Sequence, residues 1–198
     1  MKRGTKQIKE LNVIDLILLD HKYVKECIEI LKDEDADKRK KLSYAKGFLD
    51  ALQKHSTAEK KSVYAPLENN DELRFNVLEA EIEHGIVDQK VKMLKPKVSR
   101  MKKLSDEIGA ELKVLAELVE HHIKEEESEM LPKMRAELDE DDLAEMGAAF
   151  MKLRKFTPKE LQENPQLSDE LIHWKDSVQE ISSRFLSKMD KYVENLRH

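Results

Sequence analysis

The sequence predicts an all-α protein, an antiparallel bundle of four long helices with additional helices at its C-terminal end. Apolar residues recur at helical spacing along almost the whole chain. Glycine and proline are rare, with 5 of each in 198 residues, while leucine, lysine, glutamate and alanine are abundant. This composition favours amphipathic helices joined by short turns, and an aromatic content of 5% is low for a sheet protein.

The four predicted bundle helices are separated by short polar segments such as DEDADKRK and ENNDE. They cover about residues 12–32, a second stretch ending near 67, residues 72–94, and a fourth stretch from 105 to between 132 and 138. The third helix is expected to end before Pro96, because the residue preceding a proline disfavours helical backbone. The fourth is expected to begin at Ser105, a good N-cap residue followed by two acids.

Two domain-level units are predicted: residues 1–138 form the bundle, and residues 139–198 form a C-terminal helical extension. The extension begins with a short helix around residues 142–155, followed by a loop rich in helix breakers. A long final helix, about residues 171–196, carries apolar residues close to a heptad repeat. Two alternatives are open for this last helix: it packs on its own bundle, or it forms the seam of a homodimer.

Charge and apolar patterning argue against two classes of partner. The net charge is −5 and basic residues alternate with acids, so no nucleic acid is expected to bind. The apolar run near the N-terminus is interrupted by Asp15 and is far shorter than the roughly 20 residues that span a membrane. The single cysteine, Cys27, excludes an internal disulfide and fits a reducing compartment. We therefore expect a soluble, cytoplasmic protein.

Each predicted bundle helix carries one histidine on its apolar face: His21, His55, His84 and His122. His121 is rotated about 100° away from its neighbour and has more polar surroundings, so His122 is the inward residue of that pair. One buried histidine is an ordinary core residue. One on every helix is unusual, because imidazoles are costly to bury without partners.

Two of these histidines are followed, four residues later, by Glu59 and Glu126. A spacing of four places both groups on one helix face. The order along the chain is a single His, then H-x-x-x-E, then a single His, then H-x-x-x-E. Two helix pairs related by a pseudo-twofold axis would bring all six groups together in the core.

Four further acids lie close to these histidines in the sequence. Asp20 and Glu83 each come directly before a single histidine and are expected to point to solvent. Glu81 and Asp88, on the third helix, are open alternatives for one additional metal ligand.

Imidazoles and carboxylates in this combination suit a pair of iron ions, whereas structural zinc sites are closed and rich in cysteine. Two ferrous ions bring four positive charges, of which Glu59 and Glu126 offset two, and an oxide or hydroxide bridge lowers the remainder. Six protein groups leave coordination positions open for oxygen, nitric oxide or peroxide. Without metal, at least one of the two carboxylates is expected to hold a proton, because like charges at close range disfavour joint ionisation.

The segments LLDHKYV, LQKHSTAEKKSVYAPL, EAEIEHGIVD and LVEHHIKEEESEMLP resemble the hemerythrin-like, HHE cation-binding family over roughly residues 12–138. In that family H-x-x-x-E is typically followed by an apolar-aromatic pair and a proline, which residues 63–66 and 130–132 resemble. Counting back from the second proline gives His122 and Glu126. The resemblance implies a bundle of hemerythrin type with a di-iron centre, and the set is also similar to that of iron-centre repair proteins of this fold.

Three functions are compatible with these observations. The favoured one is a non-heme di-iron protein that binds oxygen, nitric oxide or peroxide for sensing, storage or detoxification. The second is an enzyme whose di-iron pair turns over peroxide or donates iron for repair. The third is an interaction module in which the final helix is the partner surface.

Overall fold

The computed structural model describes residues 12–155, and this part of the chain contains helices and short connections but no strand. The five helices are α1 (Val13–Lys32), α2 (Lys38–Glu59), α3 (Arg74–Arg100), α4 (Asp106–Glu125) and α5 (Glu140–Arg154). Two of them continue beyond a π turn: α2 through Lys60–Tyr64 into Ala65–Leu67, and α4 through Glu126–Met130 into Leu131–Glu137.

A polar side chain caps the N-terminus of four helices. Asn12 accepts a hydrogen bond from the backbone N–H of Asp15, and Ser105 accepts one from Ile108, at 3.1 and 3.3 Å. Asp37 and Asp139 cap α2 and α5 in the same way. These side chains satisfy backbone donors that have no partner inside the helix. The predicted starts of the first and fourth helices are confirmed.

Helices α1 to α4 form a closed ring in which each packs against the next and α4 returns to α1. The short connections between successive helices make neighbours antiparallel, so the predicted all-α four-helix bundle is confirmed. Helix α5 packs against α1 and α2 on one side of the bundle. The predicted division of the chain at residue 138 stays a prediction, and the predicted final helix lies outside the described residues.

The core consists of two apolar clusters, one toward each end of the bundle. The first lies between the C-terminal half of α1, α2, the C-terminal half of α3 and most of α4. The second combines the start of α1 with both π turns, the start of α3 and the inner face of α5. A layer of buried polar residues separates the two clusters, and this layer contains all the inward-facing histidines.

The expected end of the third helix at Leu94 is wrong, because α3 continues through Pro96 to Arg100. A proline inside a helix removes one backbone hydrogen bond and costs roughly 3 kcal/mol. Leu94 and Val98, on either side of it, are both almost completely buried in the first apolar cluster. Burial of this continued apolar face offsets the local cost.

The two π turns have the same cause. In each, the residue directly before a proline donates its N–H to the carbonyl five residues earlier: Ala65 to Lys60, and Leu131 to Glu126. A proline in a regular helix clashes with the carbonyl four residues before it, and a widened turn relieves that clash. The two H-x-x-x-E segments are thus followed by matching distortions of their helices.

Candidate metal centre

All six predicted site residues come together in the polar layer between the two apolar clusters. They are His21, His55, Glu59, His84, His122 and Glu126, and none is more than 4% exposed. Ligand atoms of two overlapping subsets lie within 4.8 Å of one another: His21, His55, Glu59 and Glu126, and Glu59, His84 and His122. The two helix pairs therefore bring the six groups together in the core, as the sequence predicts.

Each glutamate lies between a histidine of its own helix and a single histidine from the other helix pair. Glu59 Oε2 is 2.9 Å from Nε2 of His55, four residues before it, and 3.4 Å from Nε2 of His84. Glu126 Oε2 is 3.7 Å from His122 Nε2 and 3.3 Å from His21 Nε2. Both carboxylates consequently connect the α1–α2 half of the site to the α3–α4 half.

Three of the four histidines have a carboxylate oxygen within hydrogen-bond distance of Nδ1. We call Nδ1 the outer nitrogen, because Nε2 is the nitrogen that faces the two glutamates. Asp20 Oδ2 lies 3.0 Å from His55 Nδ1, and Glu83 Oε2 lies 2.6 Å from His122 Nδ1. The expectation that Asp20 and Glu83 point to solvent is wrong, because each faces the H-x-x-x-E helix that follows its own helix. An Nδ1–H bonded to a carboxylate leaves Nε2 with its lone pair directed into the site, as metal-binding histidines require.

The two single histidines, His21 and His84, differ in the hydrogen-bond partner of Nδ1. His21 Nδ1 lies 3.1 Å from Glu127 Oε1, and Glu127 is the residue after Glu126. The equivalent residue after Glu59 is Lys60, which cannot accept a hydrogen bond. His84 Nδ1 has no hydrogen-bond partner within the described residues.

Helix α5 contributes a buried cation to the α1–α2 half. Arg154 is fully buried, and its Nε and Nη2 donate to the two oxygens of Asp20 at 2.5 and 2.6 Å. The ring of Phe150 meets the His55 ring edge-on, with 6.1 Å between the centroids. The Arg154 guanidinium, against the opposing effect of burial, holds the pKa of Asp20 well below its usual range, so Asp20 stays a carboxylate.

Tyr64 also lies at the site, although regular helical spacing in the sequence does not indicate it as a functional residue. Its phenolic oxygen lies 3.2 Å from Glu59 Oε2, 3.3 Å from Glu126 Oε1 and 3.3 Å from His84 Nε2. A residue five positions after Glu59 would point away from it in a regular α-helix. The π turn brings it back to the same face, and the nearby Pro66 is the signal that could have indicated this turn.

Other candidates lie outside this layer. His121 is exposed and pairs with Glu125 on the surface, which agrees with the predicted phase of α4. Glu81 is exposed, and Asp88 pairs with Lys60 at 2.6 Å, so neither joins the six.

Without a metal ion, the histidines and carboxylates of the layer shift one another's pKa values. Burial acts to lower the pKa of His55, but the charge of Glu59 and hydrogen bonding outweigh it and raise this pKa well above its ordinary value. Burial acts to raise the pKa of Glu126, but His21 and His122 outweigh it and lower this pKa. The lowered pKa disfavours a proton on Glu126, and the expectation that at least one of the two carboxylates holds a proton in the metal-free protein stays a prediction.

The unsatisfied groups of the layer fit a metal ion. Glu59 Oε1, Glu126 Oε2 and His21 Nε2 are buried and have no hydrogen-bond partner within the described residues. Two buried acceptors and an imidazole nitrogen left in this state are costly, and a cation would satisfy all of them. Oxygen and imidazole nitrogen donors without a thiolate suit iron and similar transition metals.

The fold and this buried histidine–carboxylate layer define a helical bundle able to hold metal cations. The hemerythrin HHE cation-binding domain model matches residues 12–134, and the chain belongs to that family. No curated protein and no solved structure matches the chain. Within residues 12–155, none of the helices has the length and apolar character needed to cross a membrane.

Proposed function

We propose that the bundle holds two iron ions, with His21, His55, His84 and His122 as nitrogen ligands and Glu59 and Glu126 as carboxylates shared between the ions. The observation that carries this proposal is the position of the glutamates, each between histidines of different halves. A carboxylate in that position can bind one cation with each oxygen and also lower the repulsion between them. An oxide or hydroxide bridge would complete the pair.

The charged residues around the site are compatible with the binding of iron ions. The three outer carboxylates, Asp20, Glu83 and Glu127, make their histidines better donors. Arg154 and Lys25 offset part of this negative charge, since they bond Asp20 and Glu127 respectively. The inner layer retains two carboxylates, which suits a pair of divalent ions with an additional anionic ligand.

The space beside the site suggests what such a centre would bind. A cavity of about 10 Å³ contacts all four histidines and is otherwise bordered by aliphatic side chains and Ser56. That volume is close to the space of one water molecule, so only a very small ligand fits without rearrangement. When bound, a ferrous pair supplies open coordination positions and reversible electron transfer to oxygen, nitric oxide or peroxide.

Two hydroxyl groups are available to such a ligand. Ser56 Oγ is buried, borders the small cavity and has no hydrogen-bond partner within the described residues. Tyr64 holds its proton, because burial and the charges of Glu126 and Glu59 raise the pKa of its phenol well above the ordinary value. We propose that Ser56 donates a hydrogen bond into the cavity, whereas the Tyr64 O–H bonds the shared carboxylates.

The proposed role is binding of oxygen, nitric oxide or peroxide for sensing, storage or detoxification. The alternative is an enzyme that turns over peroxide or supplies iron for repair. Adding each ligand to anaerobic ferrous protein should give one rapid spectral change with little turnover for a binding protein. Sustained consumption of peroxide over many equivalents would establish the enzyme instead.

A matched pair of serine variants tests the cavity. Ser56→Ala should weaken ligand binding about 5- to 10-fold, the loss of one hydrogen bond of roughly 1 kcal/mol. Ser62→Ala is the control, because Ser62 is equally buried but its Oγ already donates to the carbonyl of Ala58 at 2.7 Å. Equal binding by both variants would contradict a role for Ser56.

A further inference from the structure

A second cavity, of about 200 Å³, lies between α3 and the second π turn and is strongly acidic. Five glutamates line it, together with one histidine and three uncharged residues: Glu79, Glu83, Glu125, Glu126, Glu129, His122, Asn76, Ala80 and Met130. At its edge, Lys133 Nζ donates to Asn76 at 2.9 Å. A lining with an excess of one charge sign raises the local concentration of oppositely charged ions.

This acidic cavity reaches the metal centre. Glu126 and His122 belong both to its lining and to the six buried site residues. Glu126 Oε2 is buried without a hydrogen-bond partner in the described part of the chain. Glu83, also in the lining, bonds the outer nitrogen of His122. The cavity therefore leads from exposed glutamates to an unsatisfied carboxylate of the site.

A cluster of possible cation ligands lies next to the cavity. Glu83, His121 and Glu125 each offer one ligand atom, and these atoms lie within 4.8 Å of one another. Two of the three also line the acidic cavity, and His121 is 61% exposed at its side chain. An ion held by this cluster would be in contact with solvent on one side and with the cavity on the other.

A larger cavity on another side of α4 has a different character. It measures about 740 Å³, lies between α1 and α4, and mixes lysines with glutamates. Lys25, in its lining, bonds both oxygens of Glu127 and neutralises the acid nearest His21. With four glutamates and two lysines in its lining, this cavity attracts cations less strongly than the acidic cavity does.

We propose that the acidic cavity is the entry route by which a divalent cation reaches the His84–His122 side of the centre, with Glu83, His121 and Glu125 as the first binding cluster. This inference rests on the proposed metal centre. An entering cation exchanges water for carboxylate oxygens at Glu79 and Glu129, then passes to Glu126. Each step replaces one oxygen ligand by another, so no position along the route leaves the ion without anionic partners.

The test compares two double variants that remove the same charge from different cavities. Glu79→Gln/Glu129→Gln neutralises exposed acids of the acidic cavity, and Glu29→Gln/Glu117→Gln neutralises exposed acids of the larger cavity between α1 and α4. Metal-free full-length protein is mixed anaerobically with Fe²⁺, and in parallel with Co²⁺, in a stopped-flow spectrometer. The initial loading rate is measured at several NaCl concentrations.

The first double variant should load about 3- to 10-fold more slowly than wild type, and its rate should depend less steeply on salt. The second should load at close to the wild-type rate. All three proteins should reach the same metal content at equilibrium. Equal rates for both variants, fast or slow, would overturn the proposed route, as would a lower final metal content in the first variant alone. Failure of wild type itself to bind metal would instead overturn the proposed centre.

Discussion

The α1–α2 half and the α3–α4 half of the site have the same pattern of hydrogen bonds but different surroundings. In each, an acid directly before a single histidine accepts from the H-x-x-x-E histidine of the next helix: Asp20 from His55, and Glu83 from His122. Asp20 is fully buried and held by Arg154 of α5. Glu83 is partly exposed and lines the acidic cavity.

This difference would make the two proposed metal positions inequivalent. The α1–α2 half has a fixed carboxylate whose charge is neutralised by a buried guanidinium. The α3–α4 half has a solvated carboxylate and one histidine, His84, without an outer acceptor in the described residues. We expect the first position to hold its ion more tightly and the second to exchange its ion more readily.

The largest expected effect is the loss of an ion from the α3–α4 half. His122→Ala removes a proposed ligand and should lower the metal content by at least one ion per chain. His121→Ala is the control, because that side chain is 61% exposed and pairs with Glu125 on the surface. Metal analysis of the two purified variants checks this, and the opposite pattern would mean that the ligand is His121.

The α1–α2 half should be the more sensitive to loss of a neutralising charge. Arg154→Met leaves Asp20 buried without its cation and should cost about 3–5 kcal/mol of unfolding free energy. Adding Asp20→Asn to that variant should restore part of the loss. Denaturant unfolding of metal-free protein measures both effects.

Arg135→Met is the matched control for Arg154. Arg135 and Asp15 are separated by 3.7 Å and are both partly exposed, so losing this pair should cost less than about 1 kcal/mol. Similar losses for the two arginine variants would contradict a special role for the buried one.

A hydrogen-bond acceptor for His84 Nδ1 should make the two halves of the site more alike. Lys60→Glu places a carboxylate directly after Glu59, as Glu127 directly follows Glu126, and we expect it to accept from His84 Nδ1. Outer partners of this kind change metal affinity by roughly 10- to 100-fold, so we expect about 10-fold tighter binding of one ion. Chelator competition measures it, and Lys61→Glu, at an exposed neighbour, is the control. Equal gains in both variants would indicate only a general charge effect.

The smallest effect is on the pH dependence of stability. The pKa values of His21, His55 and His122 are raised, despite burial, by neighbouring carboxylates. Their protonated forms therefore stabilise the metal-free protein below about pH 6.5, and this contribution is lost as pH rises through the raised values. Burial and neighbouring imidazoles lower the pKa of His84, so its effect on the pH dependence of stability has the opposite sign. The three histidines with raised pKa values outnumber it.

Metal binding requires these histidines to lose their protons. The metal-loaded protein therefore becomes more stable relative to the metal-free protein as pH rises. The difference in melting temperature between loaded and metal-free protein should widen from about pH 6 to 8. Each kcal/mol corresponds to roughly 2–4 °C for a chain of this size. A constant or narrowing difference, measured anaerobically, would show that the histidine protons are not displaced.

The sequence predicts which histidines and glutamates are buried together, because helical spacing indicates which residues face the core. His122 rather than His121, and the two glutamates four residues after their histidines, follow from that spacing. The partners of Asp20 and Glu83 could not be predicted in this way, since each lies on a different helix. Arg154 is 134 residues away from Asp20 in sequence, and no local pattern connects them.

The remaining errors concern prolines. The expectation that a helix ends before Pro96 applied a local preference that burial of Leu94 and Val98 overrides. The contribution of Tyr64 was missed because regular helical periodicity was assumed across the π turn. Backbone distortion changes which side chains share a face, and only the folded arrangement shows where this happens.

The metal content of the protein tests the central claim most directly. The chain is expressed with ample iron, purified in air, and measured by elemental analysis together with its optical spectrum. Two iron ions per chain, with absorption from a bridged ferric pair, is the result that the six-ligand layer predicts. A value near one ion per chain, or zinc in place of iron, would contradict a shared di-iron centre.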